Sequence, residues 1–160
     1  MSGIIGTAGQ NSGIINSFNR GLLPAFKQAW GTNNGVLGVL NSSNFTAVTN
    51  RDCFNIGGHW DVSTGKFTVP IAGIYCFGMS AMRQASNGSQ IDMRVYKNTT
   101  SGSAGTYGRL YDNYDNSYQG SGTGTMITSA VVGDWFVFRS DSSSFSCYAD
   151  DSYTFGFLVS

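Results

Sequence analysis

Apolar and polar positions alternate at a period of two through much of the chain, which is the pattern of half-buried β-strands. Between Ile74 and Met82, the residues Tyr75, Phe77, Met79 and Ala81 fall on one side and share a face. Ile91 to Tyr96 alternates as cleanly, with Ile91, Met93 and Val95 expected inward. Phe67-Thr68-Val69 runs into Pro70, which suits an edge or a strand end. Met126 to Val132 reads as a further strand, Gly133-Asp134 as a tight turn, and Trp135 to Phe138 as the return. Ser140 to Ser144 reads as a polar turn before Phe145-Ser146-Cys147-Tyr148, and Phe155 to Val159 closes the chain. Short strands at this spacing, with Gly, Ser and Asn between them and no helical period, predict a sandwich or barrel.

Composition agrees. The 160 residues suit one domain with a substantial core. Aromatics are 14% and charged residues 11%, and Glu is absent altogether. A Gly-, Ser-, Thr- and Asn-rich background disfavours helices, because Gly loses backbone entropy there and Ser and Asn compete for backbone hydrogen bonds. A formal net charge of zero builds no field to attract nucleic acid or an anionic membrane, so neither is an expected partner. Low charge with many rings also predicts apolar patches covered by partner subunits.

The first residues differ from the rest. Ser2-Gly3-Ile4-Ile5-Gly6 is echoed ten residues on by Ser12-Gly13-Ile14-Ile15-Asn16. Four isoleucines on a Gly-rich string cannot make a core. Such a segment either stays mobile or orders on another surface. Residues 1–23 are therefore read as an extended N-terminal arm, with Ile4, Ile5, Ile14 and Ile15 as attachment residues, and residues 24–160 as the domain.

Within that domain, three stretches stand together: Phe54-Asn55-Ile56-Gly57-Gly58-His59-Trp60-Asp61, Thr64-Gly65-Lys66-Phe67-Thr68-Val69-Pro70 and Gly73-Ile74-Tyr75-Cys76-Phe77. They resemble the signature of C1q-like domains. Gly133-Asp134-Trp135-Phe136-Val137 is similar to that family's Gly-Asp hairpin, and Gly156-Phe157-Leu158 to its closing strand. Thr154 stands where the family usually has an aromatic. No collagen Gly-x-y run accompanies the head. The resemblance implies an all-β, antiparallel jelly-roll sandwich of about ten strands, of the C1q and tumour-necrosis-factor type, assembling as a homotrimer. The Ser-Gly-Ile-Ile-Gly start resembles structural proteins of tailed phages of aquatic bacteria. That second resemblance implies a virion location and a capsid-decoration or cement role, with a major capsid protein or another virion protein as partner. A receptor- or glycan-binding fibre tip and a cellular C1q-like binding protein are the alternatives.

Little of the sequence suggests chemistry. His59, followed by Trp60 and Asp61, lies inside the strand motif, and no catalytic residue is expected. Cys53, Cys76 and Cys147 have no metal-type spacing and read as small buried hydrophobes. No cofactor or metal site is expected; Asp150-Asp151, with Asp141 nearby, reads as a solvated turn with calcium as the alternative. Gly120-Ser121-Gly122-Thr123-Gly124 is not a phosphate loop, since no Gly-Lys-Ser/Thr follows. Tyr107, Tyr111, Tyr114 and Tyr118, interleaved with Asn, Asp and Ser, read either as a surface that stacks on sugars or protein, or as strand and interface rings.

Overall fold

The computed structural model describes residues 23–31, 36–41, 43–45, 52–82, 92–102, 106–111, 121–145, 148 and 151–160. Of these, 36–38, 106–111, 121 and 141–145 are described as backbone. The strands are β1 (Ala25–Ala29), β2 (Val36–Val39), β3 (Phe54–Ile56), β4 (Trp60–Asp61), β5 (Lys66–Thr68), β6 (Gly73–Met82), β7 (Met93–Lys97), β8 (Thr106–Tyr111), β9 (Ser121–Ala130), β10 (Trp135–Phe145) and β11 (Tyr153–Leu158). They form two antiparallel sheets, in the orders β3-β1-β11-β6-β9 and β4-β5-β10-β7-β8, with β2 added on β10. This is the sandwich that the alternation predicts, in the jelly-roll form that the family resemblance implies. Among the described residues, no helix is long and apolar enough to cross a membrane.

The core lies between the sheets and is dominated by rings. Tyr75, Phe77, Met79 and Ala81 of β6 are all buried on one side, as their spacing requires. Met93 and Val95 of β7 and Phe136 and Phe138 of β10 meet them from the other sheet. Phe26 stacks flat on Trp60 at 4.3 Å, and Phe77 packs on Phe136 at 4.3 Å. Each fully buried ring contributes roughly 1.5–3 kcal/mol relative to exposure. Tyr75 satisfies its hydroxyl by donating to the Ile71 carbonyl at 2.7 Å, and burial pushes its pKa up.

Polar side chains fix the turns. The Asp61 carboxylate accepts hydrogen bonds from the Ser63 and Thr64 hydroxyls and the Ser63 amide, which hold its pKa below the usual value. Gly65 ends that turn at φ 65°, and a Cβ there would stand 1.7 Å from the Leu40 carbonyl oxygen, so both conformation and space demand glycine. Asn55 bridges the β3–β4 loop, donating to the Trp60 carbonyl at 2.7 Å and accepting from its amide at 3.1 Å. At the β9–β10 turn, Asp134 accepts from the Val131 amide, the Asn98 amide nitrogen and Lys97 Nζ.

Three expectations need correction. Residues 140–144 are not a turn: β10 continues to Phe145, because β2 supplies a pairing partner for it across a register shift between Ser140 and Phe145. Of the strand expected over Phe145–Tyr148, Phe145 instead ends β10 and Tyr148 is in no strand, while 146–147 lie outside the described residues. The strand expected over Met126–Val132 instead spans Ser121–Ala130, paired along its whole length with β6, so the glycine-rich stretch is strand and Val131 and Val132 lie in the turn region. Met93 and Val95 are inward as expected, while Ile91 lies outside the described residues.

Candidate functional site

The outward face of the five-stranded sheet is unusually apolar. Its cross-strand rows follow from the register. One row runs Ile56, Ala25, Phe157, Cys76, Ile127, and the next runs Phe54, Lys27, Phe155, Gly78, Thr125. Strand β11 alternates so that Thr154, Gly156 and Leu158 are buried while Tyr153, Phe155 and Phe157 point away from the core. Those three rings follow one another at 6.3 Å spacing. Phe54, Ile56, Phe157 and Ile127 are 42, 39, 41 and 70% exposed, too much surface for residues whose burial is worth so much.

Ala25, Lys27, Phe54, Ile56, Phe155 and Phe157 line a groove of about 550 Å³ on this face. Lys27 is the charged residue in these rows, between Phe54 and Phe155, and its ammonium stands 5.2 Å from the centre of the Tyr153 ring, a cation–π contact. Cys76 lies half-buried between Phe157 and Ile127, and burial pushes its thiol pKa up, away from the reactive thiolate. The face thus offers ring surface, one ammonium and a half-buried thiol. Such a set is suited to packing against another protein surface.

The residues expected to carry function fall differently. Ile4, Ile5, Ile14 and Ile15 lie outside the described residues, as do Tyr114 and Tyr118. Tyr107 and Tyr111 are on the backbone of β8, next to β7. His59 stands in the β3–β4 turn, its ring so close to Gly57 that a Cβ there would be 2.6 Å from Nε2, while its carbonyl accepts from the Thr68 amide. Cys53 accepts a hydrogen bond from the Ala29 amide at 3.2 Å, and Cys147 lies outside the described residues. Asp151 is described and Asp150 is not; among the described residues no group of three His, Cys, Asp or Glu is placed to hold a metal. Thr154 fills the place of the family's aromatic by turning inward, fully buried, with its hydroxyl 3.5 Å from the Gln28 carbonyl. The outward face itself escaped the sequence reading. Its signal was the Tyr153-x-Phe155-x-Phe157 alternation beside Phe54-x-Ile56.

A family model described as the C1q domain matches residues 39–159. The chain belongs to the C1q domain family. Solved structures share the fold of this C1q domain. The globular domain of zebrafish complement 1qA protein superposes with a TM-score of 0.65 at 14% identity, covering 86% of this chain and 98% of that one. Murine APRIL gives 0.54 at 11% identity, with 85% and 98% covered. Eiger TNF from S. frugiperda gives 0.52 at 12% identity, with 86% and 93% covered. No curated protein matches the sequence.

Proposed function

We propose that this C1q domain is a non-catalytic binding or structural head that works as a homotrimer, with the outward face of its five-stranded sheet buried between subunits. The observation that carries this reading is the concentration of Phe54, Ile56, Phe155, Phe157 and Ile127 on one sheet face, in a chain with only 11% charged residues. A subunit contact of the obligate kind buries more than about 2,000 Å² in total and resembles a domain core cut in half. A face made of rings and isoleucine fits that description. Light scattering at micromolar concentration tests it: a trimer is expected, and a stable folded monomer overturns it.

The finer reading is a virion structural protein: a knob on the head of a tailed phage, held to the major capsid protein or a neighbouring virion protein by residues 1–23. The repeated Ser-Gly-Ile-Ile pattern supports it, since Ile4, Ile5, Ile14 and Ile15 are anchors without a core of their own. Sixteen extended residues reach at most about 55 Å, which suits compact attachment better than a long fibre. Three arms on one trimer reinforce each other through effective concentration. Removing residues 1–18 is expected to leave a folded trimer that no longer co-sediments with particles lacking the native protein; full decoration overturns the reading. A fibre-tip adhesin or a cellular C1q-like binding protein would use the same trimer. Electron microscopy of purified particles and the neighbouring genes separate these outcomes.

A further inference from the structure

A second exposed apolar surface lies at one end of the sandwich. Ile71, Val131, Val132 and Val159 are 37, 62, 65 and 50% exposed. Hydrogen bonds hold them together: the Gly133 amide donates to the Val69 carbonyl at 2.9 Å, joining the β9–β10 turn to the segment before Ile71. The Val159 amide donates to the Ile74 carbonyl at 2.7 Å, and the Ile74 amide to the Ser160 carbonyl at 2.8 Å. The chain enters the domain at this same end, where the Leu158 amide donates to the Pro24 carbonyl at 3.1 Å.

We infer that this end patch is the resting seat of the chain's own N-terminal segment, with Ile14 and Ile15 packed on Ile71, Val131, Val132 and Val159. The place where that segment joins the domain carries the argument. Leu23 directly precedes Pro24, whose carbonyl is held by the amide of Leu158, the neighbour of Val159, and the eight residues from Leu23 back to Ile15 span up to about 29 Å when extended, enough to cross the end of a sandwich whose sheets are ~10 Å apart. The chemistry matches: among residues 1–22 the sole charged side chain is Arg20, and the patch residues are all aliphatic. A tethered segment also competes well, since a short linker gives it an effective concentration in the millimolar range against any free partner. The seat does not depend on what the arm later binds. If the arm attaches to a particle, the particle must displace it from this patch.

The test is methyl NMR on the full chain with labelled Ile and Val. Cross-relaxation between the δ1 methyls of Ile14 or Ile15 and the methyls of Val131, Val132 or Val159 is expected. Random-coil shifts for both isoleucines, or cross-peaks from them to Ile127 on the aromatic face instead, overturn the seat. So does loss of the contacts on dilution while the domain's assembly state is unchanged, which assigns the patch to a second molecule. In Val132→Asp with Val159→Asp, the seated population of Ile14 and Ile15 is expected to fall at least tenfold while the Ile74 and Ile127 signals stay in place. Contacts that survive the double substitution overturn the assignment. Should that variant misfold, Val132→Thr with Val159→Thr makes the same comparison with side chains of similar shape.

Discussion

The two sides of the five-stranded sheet use the same kind of residue on opposite strands. On β6, Tyr75 and Phe77 point into the core and Cys76 and Gly78 face out. On β11 beside it the order is reversed: Thr154 and Gly156 are inward, and Tyr153, Phe155 and Phe157 outward. The small residues are small because the neighbouring strand's rings occupy their space. A Cβ on Gly156 would stand 2.5 Å from Phe77 Cδ1 and 2.7 Å from Phe26 Cε1, and one on Gly78 would stand 2.3 Å from Phe155 Cζ. Rings laid over glycine on the outer side are thus fitted as the core is fitted, yet among the described residues Phe54, Ile56, Ile127 and Phe157 of that side stay exposed. The comparison teaches that the sheet has two ring-lined faces, one closed within the chain and one that the proposed trimer would close.

The largest effect is expected inside. Phe77→Ala removes a ring shared by Phe67, Tyr75 and Phe136, and should cost about 3–5 kcal/mol. Calorimetry should show the midpoint falling by about 6–20 °C, since each kcal/mol shifts a domain of this size by roughly 2–4 °C. The outer side should break differently. Phe157→Asp places a carboxylate in the middle of the proposed contact, where burial without a partner is costly. Light scattering should then report monomers that keep the native near-ultraviolet circular dichroism; an intact trimer would show that the face lies elsewhere.

How far these elements were legible in the sequence follows from the same asymmetry. Strand β6 was legible because its alternation is strict and long, and the Thr64-Gly65 turn because a turn of that kind has few chemical solutions. Strand β1, Ala25-Phe26-Lys27-Gln28-Ala29, has Phe26 as its one strand-favouring residue; it is a strand because β3 and β11 pair with it on both sides, which only the tertiary fold supplies. The extension of β10 past Ser140 was missed for a related reason: its Ser-rich run reads as a turn until β2 is known to lie beside it. The outward face was missed because a ring in a strand is read as core by default, and period-two spacing does not say which of two sets of rings faces in.

A smaller effect is expected at the turn that joins the sheets. Burial of Asp134 works against its ionisation, but Lys97, the Val131 amide and Asn98 outweigh it and bring its pKa down to about 2. Because the folded value lies below the unfolded one of about 3.9, this group contributes stability that is present above pH 4 and is lost as pH falls from about 4 to 2. Denaturant unfolding of Asp134→Asn against the native chain should show a difference that is constant from pH 7 to 5 and shrinks through that acid window. A difference that stays flat down to pH 2 would mean the ion pair with Lys97 is not felt in stability. The smallest effect belongs to His59→Gln, in a turn and against Gly57, where the midpoint should move by no more than the equivalent of about 0.5 kcal/mol and the trimer should be unaffected.

Cys76 turns the outward face into a clock. Its sulfur lies between Phe157 and Ile127, in the row proposed to be covered by the neighbouring subunit. If that face is the subunit contact, an alkylating reagent reaches it only when subunits part. The rate at which the Cys76 peptide gains mass, once independent of reagent concentration, is then the dissociation rate of the assembly. A head that must stay attached for the lifetime of whatever carries it should let that clock run very slowly.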